Sequence, residues 1–249
     1  MLALKLFLVP AFLALISLAG KRWGPGVAGW LAGFPALTGP ILLLLALEHG
    51  PVFTAEAATV SLSAVFGAVA FSLTYARVCA RRSPWVSLLA GLGAWCCAAL
   101  ILTRLPLTNF VSLAIALATL LAAPRLFPRV SVPIAATGLP KGELLLRMLA
   151  GAALALAVTS LATAIGPSWS GMLAVFPVLS IVLAVFSHRM SGPAFATLLL
   201  KAMIWGLYAF TTFCFTLAVL LPHRGVTVSF VAAIALAVAV QWALKSRLK

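Results

Sequence analysis

The sequence predicts an all-α polytopic membrane protein of about nine transmembrane helices, and three observations predict it. Of 249 residues, 64% are hydrophobic and 8% charged, with a mean hydropathy of +1.21. An ordinary soluble domain is about 45–50% apolar and about 25% charged, so this chain lacks the charge to cover a soluble surface. That excludes a soluble enzyme, a secreted disulfide scaffold and a disordered tail. Apolar runs of about 20 residues, the length that carries a helix across the hydrocarbon core, recur from end to end. The runs show no period-two alternation. Helices are then the way to satisfy every backbone group in lipid.

The spans fall at 2–20, 27–47, 55–80, 84–103, 107–123, 143–165, 168–187, 193–221 and 226–244. The first carries Lys5 and ends in Ser17-Leu18-Ala19-Gly20, which resembles a signal peptide. It takes part in an internal repeat, so it is expected to remain as a helix. The third and eighth exceed the hydrocarbon thickness and should tilt. The fifth is short and starts among Thr108, Asn109 and Ser112. A linker at 124–142 holds Pro124, Pro128, Pro133 and Pro140 with Arg125, Arg129 and Lys141. The chain thus divides into a first membrane repeat (1–105), a linking span with its Pro-rich segment (106–142) and a second repeat (143–249).

The repeat appears on sliding the chain by 142 residues. GPGVAGWLAGFPAL (Gly24 to Leu37) falls on GPSWSGMLAVFPVL (Gly166 to Leu179). Gly50-Pro51 falls on Gly192-Pro193 and Phe53 on Phe195, which makes 11 identities over positions 24–53. Hydrophobicity alone does not align glycines and prolines. Spans 1–4 and 6–9 form the two halves. Five crossings separate span 1 from span 6, so the halves are expected to be inverted. Charge supports this. With the N-terminus outside, 14 of the 17 Lys and Arg residues fall on cytoplasmic ends, and only Lys5, Arg104 and Arg224 lie outside. The positive-inside rule then favours N-out and C-in. Short loops fit a bacterial inner membrane.

Proline interrupts both copies. Pro35 and Pro177 lie about 12 Å into spans 2 and 7 at 1.5 Å per residue. Each removes a backbone bond and frees a carbonyl four residues back, at Leu31 and Leu173; Pro40 frees a third, at Ala36. The residues permit two readings. In one, the prolines only kink helices, and Gly29 and Gly171 permit close packing. In the other, the helices are discontinuous and meet near the midplane, the plan of many secondary transporters. The segments after Pro35 and Pro177 would then aim their N-terminal ends at an anionic group. The candidate substrate-binding residues are Gly29, Phe34, Pro35, Thr38, Gly171, Phe176, Pro177 and Ser180, with Asn109 as a further cavity liner. Tyr75, Tyr208 and Gln241 are weaker candidates of the same kind.

Ionisable groups bound the chemistry. The net charge is +14, but the basic residues lie between apolar stretches, which argues against nucleic acid. Arg77, Arg104, Arg147 and Lys201 fall just inside apolar runs, where they can snorkel, and Arg77, Arg147 and Lys201 are the candidates for binding an anion or lipid headgroup. The acidic residues are Glu48, Glu56 and Glu143, and the histidines are His49, His188 and His223. All sit near span ends, so no core carboxylate or histidine relay is expected. Cys79, Cys96, Cys97 and Cys214 form no CxxC and are expected as small buried hydrophobes. No catalytic motif, metal site or cofactor is implied.

These observations lead to a small secondary transporter or facilitator, not an enzyme, moving a small, preferentially anionic solute by alternating access. A translocase of an anionic lipid or lipid-linked carrier, and a non-catalytic membrane subunit of a larger complex, are the alternatives. The expected partners are membrane lipids and a small-molecule solute, with a second copy of the chain as a candidate homodimer partner.

Overall fold

A computed structural model describes residues 2–130, 142–165 and 176–245. Gly171 and the stretch around it lie outside the described residues, as do Pro133, Pro140 and Lys141. The described elements are all helices: α1 (Leu2–Ala32), α2 (Thr38–His49), α3 (Pro51–Ser63), α4 (Val65–Val78), α5 (Pro84–Leu102), α6 (Asn109–Leu126), α7 (Glu143–Ile165), α8 (Val178–Arg224) and α9 (Val226–Ala243). Seven described helices are long and apolar enough to cross a membrane, with α3 and α4 counted together as Pro51–Val78; α2 is shorter. That count differs from the nine expected spans, because corners made by single glycines run neighbouring spans together.

Two such corners lie inside helices. Gly24 (φ 84, ψ 177) bends α1, and Gly192 (φ 82, ψ 174) bends α8. Gly50 makes the same turn between α2 and α3 at φ 86, ψ 170. Only glycine adopts this backbone region readily. Each of the three is followed by a proline, whose fixed φ suits a first helical turn. A loop is therefore unnecessary, and the loops expected at 21–26 and 48–54 are absent. Ala64 (φ −64, ψ −14) joins α3 to α4 with helical angles.

Other boundaries follow from local caps. The Ser83 hydroxyl accepts from the Val86 amide at 3.4 Å, with Pro84 in the first turn of α5. Thr108 caps α6 through the Val111 amide at 3.3 Å. These helices match the expected fourth and fifth spans, although α6 runs on through Pro124 to Leu126.

α8 is the central element, packed on α1, α3, α4, α6 and α9. Its interior holds Leu183, Leu199, Leu200, Ile204 and Leu217, all fully buried. The closest crossing is with α1. A Cβ at Gly29 would stand 2.0 Å from the Leu199 carbonyl oxygen, and one at Gly206 would stand 2.3 Å from the Trp30 carbonyl oxygen. Gly33 lies against Gly206. Small residues at this crossing let two backbones touch, which is how helices gain packing in lipid without a hydrophobic driving force. The buried-cysteine expectation holds for Cys79 and Cys214, whereas Cys96 and Cys97 stand on the exposed face of α5. All four are free thiols.

Candidate functional site

The helix that begins at Gly24 stops at Ala32, and the chain turns irregularly through 33–37 before α2 starts at Thr38. Pro35 sits inside this break. The Leu31 carbonyl that it would orphan accepts instead from the Phe34 amide at 3.1 Å. The Pro35 carbonyl accepts from Gly39 at 2.8 Å. Pro177 holds the matching place at the start of α8, where its carbonyl accepts from Ile181 at 3.0 Å. Neither α2 nor α8 has a side-chain cap at this end. The Gly39 amide is spent on Pro35, Pro40 has no N–H, and the Val178 amide is spent on Phe176, so each start keeps only part of the positive end of its helix.

Between these two starts lies a cavity of about 600 Å³. Ligand pockets run from about 300 to about 1,000 Å³, so this one can hold a small organic molecule. Phe34, Thr38, Phe176, Pro177 and Ser180 all line it. The walls are completed by α3, by Ala155, Val158 and Thr159 of α7, and by Met203, Leu207 and Phe210 of α8. Five of the sequence-derived candidates thus converge on one space. Pro35 shapes the break without facing the cavity. Gly29 faces the α1–α8 crossing instead, because there is no room beside it for a side chain.

The other candidates lie elsewhere. Asn109 is an interhelical bridge, its Oδ1 2.5 Å from the Thr59 hydroxyl and its Nδ2 donating to the Ala218 carbonyl at 3.4 Å. Arg77 donates to the Leu126 carbonyl at 3.1 Å, closing the end of α6. Arg147 is 5% exposed. Its Nε donates to Glu143 at 2.8 Å, Nη2 also reaches that carboxylate, Nη1 donates to Ser17 at 3.3 Å, and the guanidinium lies 5.7 Å from the Phe186 ring centre. This is a closed ion pair inside the bundle. Lys201 is half-buried on α8. Gln241 donates to the Trp30 carbonyl at 3.0 Å. Tyr75 is fully buried, its hydroxyl 3.2 Å from Nδ1 of His188. His188 lies four residues before the Gly192 corner and is 8% exposed.

Sequence reasoning missed Glu56. It lines the cavity, and among the described residues it is the one ionisable side chain that does so. Among the described residues it has no ion-pair partner. Because α3 begins at Pro51, Glu56 lies about 9 Å along the helix from the Gly50 corner, and Thr38 about 18 Å along α2, at 1.5 Å per residue. The two kinds of charge compete. A helix start contributes about 0.3–1 kcal/mol toward an anion, up to about 2 when partly buried, and fades within one turn. A full carboxylate acts on a cation 4 Å away with about 1 kcal/mol in water and about 4 at an effective dielectric of 20. Glu56 is exposed, so its pull on a cation lies toward the lower figure and is comparable with that of one helix start, but a full charge does not fade within a turn as the helix start does.

Among the described residues no three His, Cys, Asp or Glu side chains gather as a metal-binding group. Comparison of the chain with protein-family models, with curated proteins and with solved structures gives no match.

Proposed function

We propose that this chain is a small membrane carrier or facilitator whose solute occupies the cavity between the starts of α2 and α8. The observation that carries this reading is the convergence of two proline-marked helix starts, 142 residues apart in sequence, on one cavity of ligand size. Broken helices that end at a central cavity are the recurring construction of secondary transporters, because irregular backbone at membrane depth is tolerated where it borders a cavity.

The proposal includes two inverted repeats. Gly50 and Gly192 support it, since they occupy equivalent positions and turn the chain with almost the same angles. If the Gly192 corner divides α8 into two spans, and the segments 25–32 and 38–49 form one broken span, the count returns to nine. The placement N-out and C-in, in a bacterial inner membrane, rests on the distribution of Lys and Arg. The translocase alternative would draw on Arg77, which is exposed with one bond to a backbone carbonyl, and on Lys201, since Glu143 already engages Arg147.

Purified protein in liposomes preloaded with a panel of labelled small amines, carboxylates and neutral solutes tests the proposal. At least one solute should leave faster than from protein-free vesicles and saturate with concentration. Ala57→Trp, which fills the cavity from α3, should remove that flux. Equal flux through wild type and Ala57→Trp would place the pathway elsewhere.

A further inference from the structure

The cavity wall combines one carboxylate with several aromatic faces. Phe34, Phe53, Phe176 and Phe210 line it together with Glu56, and no Lys, Arg or His is among its described lining residues. Phe53 is 48% exposed and stacks on His49, 5.1 Å between ring centres. Phe176 is held edge-on by Trp95 at 5.0 Å. An aromatic face attracts a cation through the ring quadrupole, and most strongly where water is excluded. The Glu56 carboxylate is exposed and has no ion-pair partner among the described residues, so its charge is free to attract a cation at that wall. Both features ask for the same partner. The apolar remainder of the wall asks for a large hydrophobic body.

We propose that the solute of this site is a lipophilic organic cation, such as a substituted ammonium, with Glu56 as its counter-charge and the phenylalanines as its aromatic cage. This rests on the carrier reading and reverses the anionic preference that the helix starts alone suggest. The α2 start lies about 9 Å farther along its helix from the Gly50 corner than Glu56 does, at 1.5 Å per residue, so a cation entering at the Gly50 end meets the carboxylate first. A solute that also carries an acceptor group can place it toward Thr38 and the α2 start.

Equilibrium dialysis in detergent with labelled tetraphenylphosphonium, and in parallel with tetraphenylborate, tests this. The two ions share shape and apolar surface and differ in sign. Wild type should bind the phosphonium saturably and at least about tenfold more tightly than the borate, about 1.4 kcal/mol. Glu56→Gln should lose most of that preference, Glu56→Asp should keep it, and Ala57→Trp should bind neither. Glu56 is exposed and lines the cavity, so its replacement leaves the core packing untouched. Phosphonium binding by Glu56→Gln equal to wild type would overturn the assignment. Borate binding as tight as or tighter than phosphonium binding, and abolished by Ala57→Trp, would overturn the cation assignment and leave the carrier reading standing. Binding of neither ion would overturn the cation assignment and leave the carrier reading to the solute panel, and equal binding of both by wild type and Ala57→Trp would place the binding outside the cavity and overturn both.

Discussion

At Arg147 a full charge lies inside the bundle, and its neighbours explain why it is tolerated. Glu143 one turn back neutralises it, Ser17 of α1 takes a second donor, and Phe186 covers the guanidinium face. Removing one partner of such a pair strands the other, a loss of about 3–5 kcal/mol, whereas replacing both with apolar groups is often neutral or stabilising. Arg147→Met should therefore lower the melting temperature in detergent sharply. The double variant Glu143→Leu/Arg147→Met should melt close to wild type. Equal melting of the single and double variants would mean that the pair is not buried as described. The sequence placed Arg147 near a span end but could not reveal its partner. An i, i+4 pair at the start of an apolar run can equally face water.

At the level of the elements, the α1–α8 crossing depends on glycines whose missing side chains the backbone of the other helix fills. Gly29→Ala would bring its Cβ against the Leu199 carbonyl oxygen and the Met203 amide, and backbone atoms cannot rotate away. Overpacking of this kind costs about 1–3 kcal/mol or more, so the variant should melt lower and yield less folded protein. Gly93→Ala is the control, since nothing lies within 4 Å of its Cβ and it sits inside α5. It should be neutral or gain up to about 1 kcal/mol from helix propensity. A Gly29→Ala protein as stable as wild type would show that the crossing is looser than described.

Helix positions were legible where caps and hydropathy agree. The expected span at 84–103 became Pro84–Leu102, and the one at 226–244 became Val226–Ala243. Positions beside glycine corners were less legible. A span was expected from 55, but Gly50 turns the chain in one residue and Pro51 opens α3 directly. That shift draws Glu56 from a presumed loop edge into the second turn of a helix that borders the cavity. Hydropathy averages over windows longer than such a corner and passes over it. The two prolines were legible because they repeat. Gly29 and Asn109 were read as binding residues because sequence cannot distinguish a small or polar residue that packs from one that faces a ligand.

For the whole molecule, the account rests on a cavity reached by water and flanked by the α2 and α8 starts. A void that solvent and solute cannot enter would have no carrier role, whatever lines it. Reaction of cysteines with a small water-soluble thiol reagent in a membrane tests this most directly. The background would replace Cys79, Cys96, Cys97 and Cys214. Thr38→Cys and Thr159→Cys place thiols in the cavity lining on two different helices, α2 and α7, and Leu89→Cys places one on the exposed apolar face of α5. The account predicts rapid labelling at both cavity positions and little at Leu89→Cys. Labelling of Thr38→Cys and Thr159→Cys no faster than that of Leu89→Cys would contradict it.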